Sequence, residues 1–248
     1  MVNHAFFAAA AVGIGPAFLL MFYAIRRYDY PYVEEALFRN ERLFLSFAIG
    51  LVIGVITAVI FNAFLVATAV EALLALLAVA VFEESFKLVY LNYKLFRGNF
   101  DTVFYGPGLS FGIAATFSMA FAFQVFTQPD VPLGALVLNV TILVLLALGL
   151  NALHFYTGSV QGAGAGRSTP WRSFFQAMGA RAVFAVLLAP FLAPFQVLNP
   201  GVLVGFLLVA VGFAVYLFWN AYTRVIPNSL PSEVRRRLRR RPAGEEAG

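Results

Sequence analysis

Apart from Glu71, near the start of its stretch, five ionisable side chains lie within long apolar stretches of this sequence: Glu83, Glu84, Lys87, His154 and Arg181. An ionisable group inside a membrane-spanning stretch is costly, so each is a candidate for function. Glu83 and Glu84 precede Lys87 by four and three residues, which places the three on one helical face in the favourable order of acid before base. The spacing predicts either a self-neutralising polar cluster or a pair of carboxylates poised for proton transfer.

The same residues include groups that can act as ligands of a hydrolytic metal site. Such a zinc site uses about three protein ligands and a water molecule, and Glu83, Glu84 and His154 are the available ligands. The chain has no cysteine, and the other histidine, His4, precedes the first apolar stretch on the opposite membrane side. We therefore predict no metal and no cofactor, and zinc at Glu83, Glu84 and His154 only if the chain is an enzyme.

The composition indicates an integral membrane protein. Hydrophobic residues make up 61% of the 248 residues and charged residues only 12%, against about 25% charged in ordinary soluble domains. A transmembrane helix needs about 20 apolar residues, and seven stretches meet this requirement: 5–25, 43–64, 69–91, 104–126, 133–157, 174–194 and 202–222. We predict an all-α polytopic membrane protein with seven transmembrane helices.

The distribution of basic residues predicts the orientation of these helices. Fifteen of the 17 lysines and arginines fall in alternate connections and in the C-terminal tail, none falls in the other connections, and Lys87 and Arg181 lie inside spans. Because basic residues are enriched on the cytoplasmic side, the N-terminus is predicted outside and the C-terminus inside, in the plasma membrane. The domains are a seven-helix unit over 1–226 and a basic tail over 227–248, which is expected to bind lipid rather than nucleic acid.

Two glycine-containing stretches carry further expectations. Gly108 and Gly112 are four residues apart in the fourth span, a spacing that lets helix backbones approach closely. We expect them to pack against the carboxylate-bearing third span, with Thr116 as a donor across the contact. The stretch from Gln161 to Gly166 predicts a flexible loop after the fifth span.

Several segments together resemble the anterior-pharynx-defective (Aph) scaffold subunit of γ-secretase. They run in order along nearly the whole chain: Met1 to Phe7 with Gly15 to Phe18, Glu83 to Lys87, Gly108 to Ile113, Leu153 with His154, and Leu198 to Pro200. The chain departs from the family at Thr116, where the family has a third spaced glycine, and at Ala189, where it has a second histidine. The resemblance implies a seven-helix scaffold, with the glycine stretch and the buried histidine involved in assembly.

The segment from Glu83 to Lys87 is also similar, more distantly, to the signature of PrsW-like and CAAX-processing (Abi-type) membrane proteases. Those enzymes combine a Glu-Glu stretch with later acidic and histidine motifs, which would fall near Phe117 and Ala189 and are missing here. The resemblances together imply a non-catalytic scaffold that stabilises a partner membrane protein, conceivably a presenilin-like aspartyl protease. The alternative is an intramembrane metal- or glutamate-dependent protease acting through Glu83, Glu84 and His154.

Overall fold

The computed structural model describes residues 2–30, 33, 36–64, 68–128, 133–192 and 200–240, and these residues form helices and no strands. The long helices are α1 (Val2–Ile25), α2 (Asn40–Ala63), α3 (Ala69–Leu91), α4 (Thr102–Phe126), α5 (Leu133–Gly166), α6 (Pro170–Leu192) and α7 (Pro200–Asn220). A 3-10 turn (Arg26–Tyr28) follows α1. A π-helical turn (Ala221–Val225), α8 (Ile226–Ser229) and α9 (Ser232–Arg240) follow α7. The all-α prediction is confirmed.

Helix α4 occupies the centre of the bundle and packs against α1, α2 and α5. Every residue from Thr102 to Ala115 is buried, so this half of α4 has neighbours on all sides. Those neighbours approach through glycines: a Cβ atom at Gly13 of α1 would lie 2.7 Å from the backbone nitrogen of Met119, and one at Gly54 of α2 would lie 2.6 Å from the carbonyl oxygen of Ile113. Small residues therefore set the spacing around the central helix.

The prediction that Gly108 and Gly112 pack against the third span is wrong, because these glycines face α2. A Cβ at Gly108 would lie 2.8 Å from a methyl carbon of Leu43, and one at Gly112 would overlap the carbonyl oxygen of Phe47. Helix α3 packs mainly against α6 and has few contacts with α4. The third and fourth spans follow one another in the chain but are not close packing partners.

Thr116 does not donate across a helix contact. Its hydroxyl donates to the carbonyl oxygen of Gly112 in the previous turn of its own helix, at 3.2 Å. Such a bond to the preceding turn is common for threonine in helices. Its Cβ packs against Gly54 of α2, so Thr116 contributes shape rather than an interhelical hydrogen bond.

The predicted loop from Gln161 to Gly166 is instead the end of α5, and this expectation is wrong. Gly158 and Gly162 pack against the start of α4, where a Cβ at Gly162 would lie 3.0 Å from Cα of Val103. The glycines at 158, 162 and 166 recur every four residues, which is the spacing of close helix packing. The run of small residues is therefore a contact surface on a helix.

A capping box begins α3. The backbone N–H of Glu71 donates to the Thr68 hydroxyl at 3.2 Å, and the Thr68 N–H donates to the Glu71 carboxylate at 2.9 Å. Both groups would otherwise be unpaired donors at the helix start. Glu71 thus fixes the first turn of α3, far along the helix from Glu83 and Glu84.

Four of the connections and segments that hold basic residues meet at one end of the bundle. Arg27, after α1, donates to the carbonyl oxygen of Tyr222, after α7. The N–H of Gly98, between α3 and α4, donates to the carbonyl oxygen of Ala165 at 3.1 Å. Arg167, after α5, donates to the carbonyl oxygen of Asn228 at 2.6 Å. The basic connections that the sequence assigns to one side are therefore spatial neighbours.

Six of the long helices are long and apolar enough to cross a membrane, and α3 is the exception among them. Helix α3 is long enough, but it carries too many charged residues to qualify as a membrane span by length and composition. The start of the predicted tail packs on the helical unit, since Leu230 is buried in its hydrophobic core. Residues 241–248 of that tail, and Leu198 and Asn199 of the resemblance, lie outside the described residues.

Candidate functional site

The five ionisable residues within the apolar stretches meet in one buried cluster, formed by Glu83, Glu84 and Lys87 of α3, His154 of α5 and Arg181 of α6. The first four side chains are fully buried, and Arg181 is 7% exposed. We call this set the ionic cluster. It contains two carboxylates, one ammonium and one guanidinium, so these formal charges sum to zero. Isolated charges would be very costly at such burial, and mutual pairing reduces that cost.

The first half of the ionic cluster is centred on Glu84. One carboxylate oxygen accepts a hydrogen bond from Lys87 Nζ at 2.7 Å, and the other accepts one from the side-chain amide of Gln161 at 2.7 Å. Lys87 also donates to the Thr157 hydroxyl at 2.9 Å. Both oxygens of Glu84 are thus used, and the ion pair is tied to α5 through two side chains.

The second half joins α3 to α6. Arg181 donates to Glu83 Oε2 through one terminal nitrogen and contacts His154 Nε2 through the other, at 2.6 Å. Because a guanidinium group has donors but no acceptor, Nε2 of His154 must accept this hydrogen bond. The ring proton of a neutral His154 is therefore on Nδ1. His154 Nε2 and Glu83 Oε2 are 3.5 Å apart, but both atoms are acceptors and they do not hydrogen-bond to each other.

Thr157 and Gln161 belong to this cluster, and the sequence reasoning missed them. They follow His154 by three and seven residues, so all three lie on one face of α5. The sequence predicts a loop at Gln161, and a loop position does not place its side chain on the same helical face as His154. The helical spacing from His154 was the signal that would have found both residues.

The residues proposed as zinc ligands do not fit a metal in this arrangement. The His154 Nε2 lone pair is directed at Arg181, and both Glu84 oxygens accept hydrogen bonds from Lys87 and Gln161. Within the described ranges, no group of three histidine, aspartate or glutamate residues has the geometry to hold a metal ion. Two fixed cations next to the same carboxylates also oppose a divalent cation electrostatically.

Space beside the ionic cluster is very limited. A cavity of about 10 Å³ adjoins Arg181 and is lined by Leu76, Val79, Phe117, Leu150, Phe184 and Ala185. This volume is about that needed for one water molecule. The cavity is too small for a peptide segment, so the cluster contacts protein rather than open substrate space.

Comparisons with protein-family models, with curated proteins and with solved structures found no match to this chain. A function for this chain therefore rests on the geometry of the ionic cluster and of the helix bundle. The hydrogen bonds of the ionic cluster join α3 to α5 and α6, and its positive and negative charges neutralise one another.

Proposed function

We propose that this chain is a non-catalytic, seven-helix membrane scaffold that stabilises a partner membrane protein. The observation that carries the proposal is the internal pairing of the ionic cluster. Both oxygens of Glu84, one oxygen of Glu83 and Nε2 of His154 are engaged by cations and an amide of the same chain, so they hold helices together. A general base or a metal ligand needs a free lone pair facing a substrate.

The proposal includes α3 as the seventh membrane-spanning helix. Its charged residues near the middle, Glu83, Glu84 and Lys87, are fully buried against α5 and α6. Apart from Glu71 in its first turn, its exposed residues are apolar: Val70, Leu74, Val81 and Val89. A helix whose charges face the bundle interior and pair there is compatible with a lipid environment. On this basis α3 crosses the membrane with the six more apolar helices.

The proposed orientation has an outside N-terminus and a cytoplasmic C-terminus, in the plasma membrane. It is supported by the meeting of basic connections at one end of the bundle, where Arg27 and Arg167 contact the segment after α7. Concentration of basic residues at one end is what the positive-inside rule requires. Helix α9 is rich in arginine and lies beyond this end, where anionic lipid headgroups would attract it.

The proposed partner is a membrane protein, with a presenilin-like aspartyl protease as the specific candidate. This part rests on the resemblance of Glu83 to Lys87, Gly108 to Ile113, and Leu153 with His154 to the γ-secretase scaffold subunit. The bundle gives a physical basis for such a role, because its central helix and ionic cluster make a rigid body. No nucleic acid is proposed, since a polybasic tail beside a membrane span is a lipid-binding feature.

One observation favours the protease alternative, and it defines the test. Glu83 Oε1 and His154 Nδ1 are buried with no hydrogen-bond partner among the described residues, so Glu83 keeps one oxygen, and His154 one N–H group, that the cluster does not engage. The experiment incubates the purified full-length chain with membrane-inserted peptides, with and without a chelator, and measures bound zinc. Glu83→Gln is compared with Glu41→Gln, an exposed carboxylate outside the cluster.

The scaffold proposal predicts no cleavage by any of these proteins and less than stoichiometric zinc. It also predicts that a co-expressed presenilin-like protease co-purifies with the wild-type chain. Chelator-sensitive cleavage that is lost in Glu83→Gln, retained in Glu41→Gln, and accompanied by normal folding of both would contradict the proposal and establish the protease.

A further inference from the structure

A groove between α1 and α2 lies apart from the ionic cluster, at the end of the bundle where the basic connections meet. It has a volume of about 460 Å³, within the range of about 300–1,000 Å³ typical of ligand sites. Its apolar lining is buried at the floor and exposed at the walls, and includes Phe18, Met21, Phe22, Ile25, Leu43 and Phe44. The groove is therefore open to the membrane.

Two opposite charges line the polar end of this groove. Arg26 and Asp29 lie in and directly after the 3-10 turn that follows α1. Among the described residues neither side chain takes part in an ion pair. The guanidinium carbon of Arg26 is 5.4 Å from the centre of the Tyr23 ring, and Asp29 Oδ1 accepts only the N–H of Tyr30, at 2.9 Å.

The apolar and polar parts are arranged along the helix axis. Phe18 precedes Arg26 by eight residues, which is about 12 Å along α1 at 1.5 Å per residue. A second recess of about 620 Å³, lined by residues 38–42, shares Phe38 and Asn40 with the groove. An apolar channel thus leads to a polar recess at the point where the apolar part of α1 ends.

We propose that this groove binds a zwitterionic glycerophospholipid whose headgroup carries a primary ammonium, of the phosphatidylethanolamine type. One acyl chain lies between Phe18, Phe22 and Phe44. The phosphate is bound by the guanidinium of Arg26, and the ammonium donates to the carboxylate of Asp29. The apolar wall, the Arg26 cation and the Asp29 anion of the groove match the acyl chain, the phosphate and the ammonium of this lipid, respectively.

The carboxylate decides between lipid classes. Phosphatidylglycerol presents the same phosphate to Arg26, but its glycerol headgroup is neutral and brings no positive charge to the Asp29 carboxylate. A phosphatidylcholine headgroup has a quaternary ammonium, which has no N–H to donate to a carboxylate. The groove is therefore predicted to rank phosphatidylethanolamine above both, whether or not the chain acts as a scaffold.

The test uses the purified full-length chain, delipidated in detergent and titrated separately with phosphatidylethanolamine, phosphatidylcholine and phosphatidylglycerol of the same acyl chains. Native mass spectrometry counts the lipids that remain bound. We expect one site with highest affinity for phosphatidylethanolamine. Arg26→Gln should weaken binding of all three lipids by about two- to five-fold, the range of exposed charge pairs.

Asp29→Asn should remove the preference for phosphatidylethanolamine over phosphatidylcholine while leaving phosphatidylcholine binding unchanged. Phe22→Ala should weaken all three lipids, because it removes a wall of the groove. The matched controls are Arg172→Gln, an exposed arginine on α6, and Phe7→Ala, an equally exposed phenylalanine of α1 outside the groove. Both controls should bind like the wild type.

Three results would overturn the proposal. The first is equal affinity of the wild type for all three lipids, and the second is a preference for phosphatidylglycerol, which would assign a general basic surface. The third is a photo-crosslinker at position 22 that reacts in native membranes with a polypeptide and not with lipid, which would assign the groove to a partner helix. Because Phe22 and Arg26 are exposed and Asp29 is partly exposed, gel filtration of each variant suffices to verify folding.

Discussion

At the scale of single residues, the ionic cluster is held together by complementary charge and by its position inside the bundle. Removing one member of a buried ion pair leaves the other unpaired, at a cost of about 3–5 kcal/mol, whereas removing both is often nearly neutral. The closest ion pairs of the cluster join Glu83 with Arg181 and Glu84 with Lys87, and Arg181 Nε also lies 3.8 Å from Glu84 Oε1. Each pair can therefore be tested by single and double substitution.

Lys87→Leu should lower the free energy of unfolding by about 3 kcal/mol, because Glu84 then loses its closest cation. Glu84→Gln combined with Lys87→Leu should recover most of that loss, since a neutral amide needs no counter-charge. The measurement is denaturant unfolding in mixed micelles for both single variants and the double variant. Lys94→Leu, at an exposed position, is the control and should change stability by less than about 0.5 kcal/mol.

Strict additivity of the two single changes would contradict coupling within the cluster, since contacting residues give interaction energies of about 0.5–3 kcal/mol.

The sequence predicted the members of this cluster better than their connections. Glu83, Glu84, Lys87, His154 and Arg181 were found because charged residues are rare in apolar stretches. Which acid pairs with which base depends on the neighbours of α3, and no local pattern contains that information. Spacing alone is compatible with either glutamate as the partner of Lys87, whereas tertiary contact with α6 assigns Glu83 to Arg181.

At the scale of helices, glycines decide which neighbours approach closely. The contact of α4 with α2 and the contact of α4 with α5 both bring backbone against backbone. Dispersion forces drive helix association in membranes, because lipid offers no hydrophobic advantage to burial, and they require close approach. A side chain inserted at such a contact forces the two helices apart.

Gly112→Leu should destabilise the protein by more than the roughly 1–3 kcal/mol typical of overpacking. A Cβ at this position would overlap the Phe47 carbonyl and lie 2.7 Å from the backbone nitrogen of Leu51. Gly205→Leu on α7 is the control, since a Cβ there meets nothing within 4 Å. Thermal unfolding in detergent measures both, and equal tolerance at the two positions would argue against close packing of α4 with α2.

Gly162→Leu provides an independent test of the contact between α4 and α5. We expect loss of the folded protein, because a Cβ at Gly162 would lie 3.0 Å from Cα of Val103 and 3.1 Å from the carbonyl carbon of Thr102. Gly179→Leu on α6, which has open space at its Cβ, should fold normally. A benign effect of Gly162→Leu on folded yield would restore the loop interpretation of residues 161–166.

That segment shows why element boundaries were only partly predictable. The glycines of this tract have low helix propensity and favour turns, so local rules favour a loop. The contact with α4 stabilises the helix instead, and its energy comes from residues about 60 positions earlier in the chain. The start of α3, by contrast, carries a local signal, because Thr68 and Glu71 have the spacing of a capping box.

At the scale of the whole molecule, the basic end of the bundle predicts its orientation in the membrane. The chain has no native cysteine, so single cysteines can be introduced without background. In intact cells His4→Cys and Gln128→Cys should react with an impermeant maleimide, whereas Asn99→Cys and Ser168→Cys should react only after permeabilisation. All four positions are exposed, and external labelling at Asn99→Cys would contradict the seven-span topology.

The central claim is that the ionic cluster stabilises a scaffold and takes no part in a reaction. The most direct measurement uses native membranes in which the chromosomal copy is replaced by the wild type, a deletion, or the double variant Glu83→Gln with Arg181→Met. The double variant removes the candidate catalytic carboxylate but keeps the cluster neutral. Quantitative proteomics then follows the partner that crosslinks to the tagged wild-type chain.

We predict that the deletion depletes the partner and that the folded double variant restores it to the wild-type level. The claim would be contradicted if the folded double variant behaved like the deletion and uncleaved membrane proteins accumulated in both.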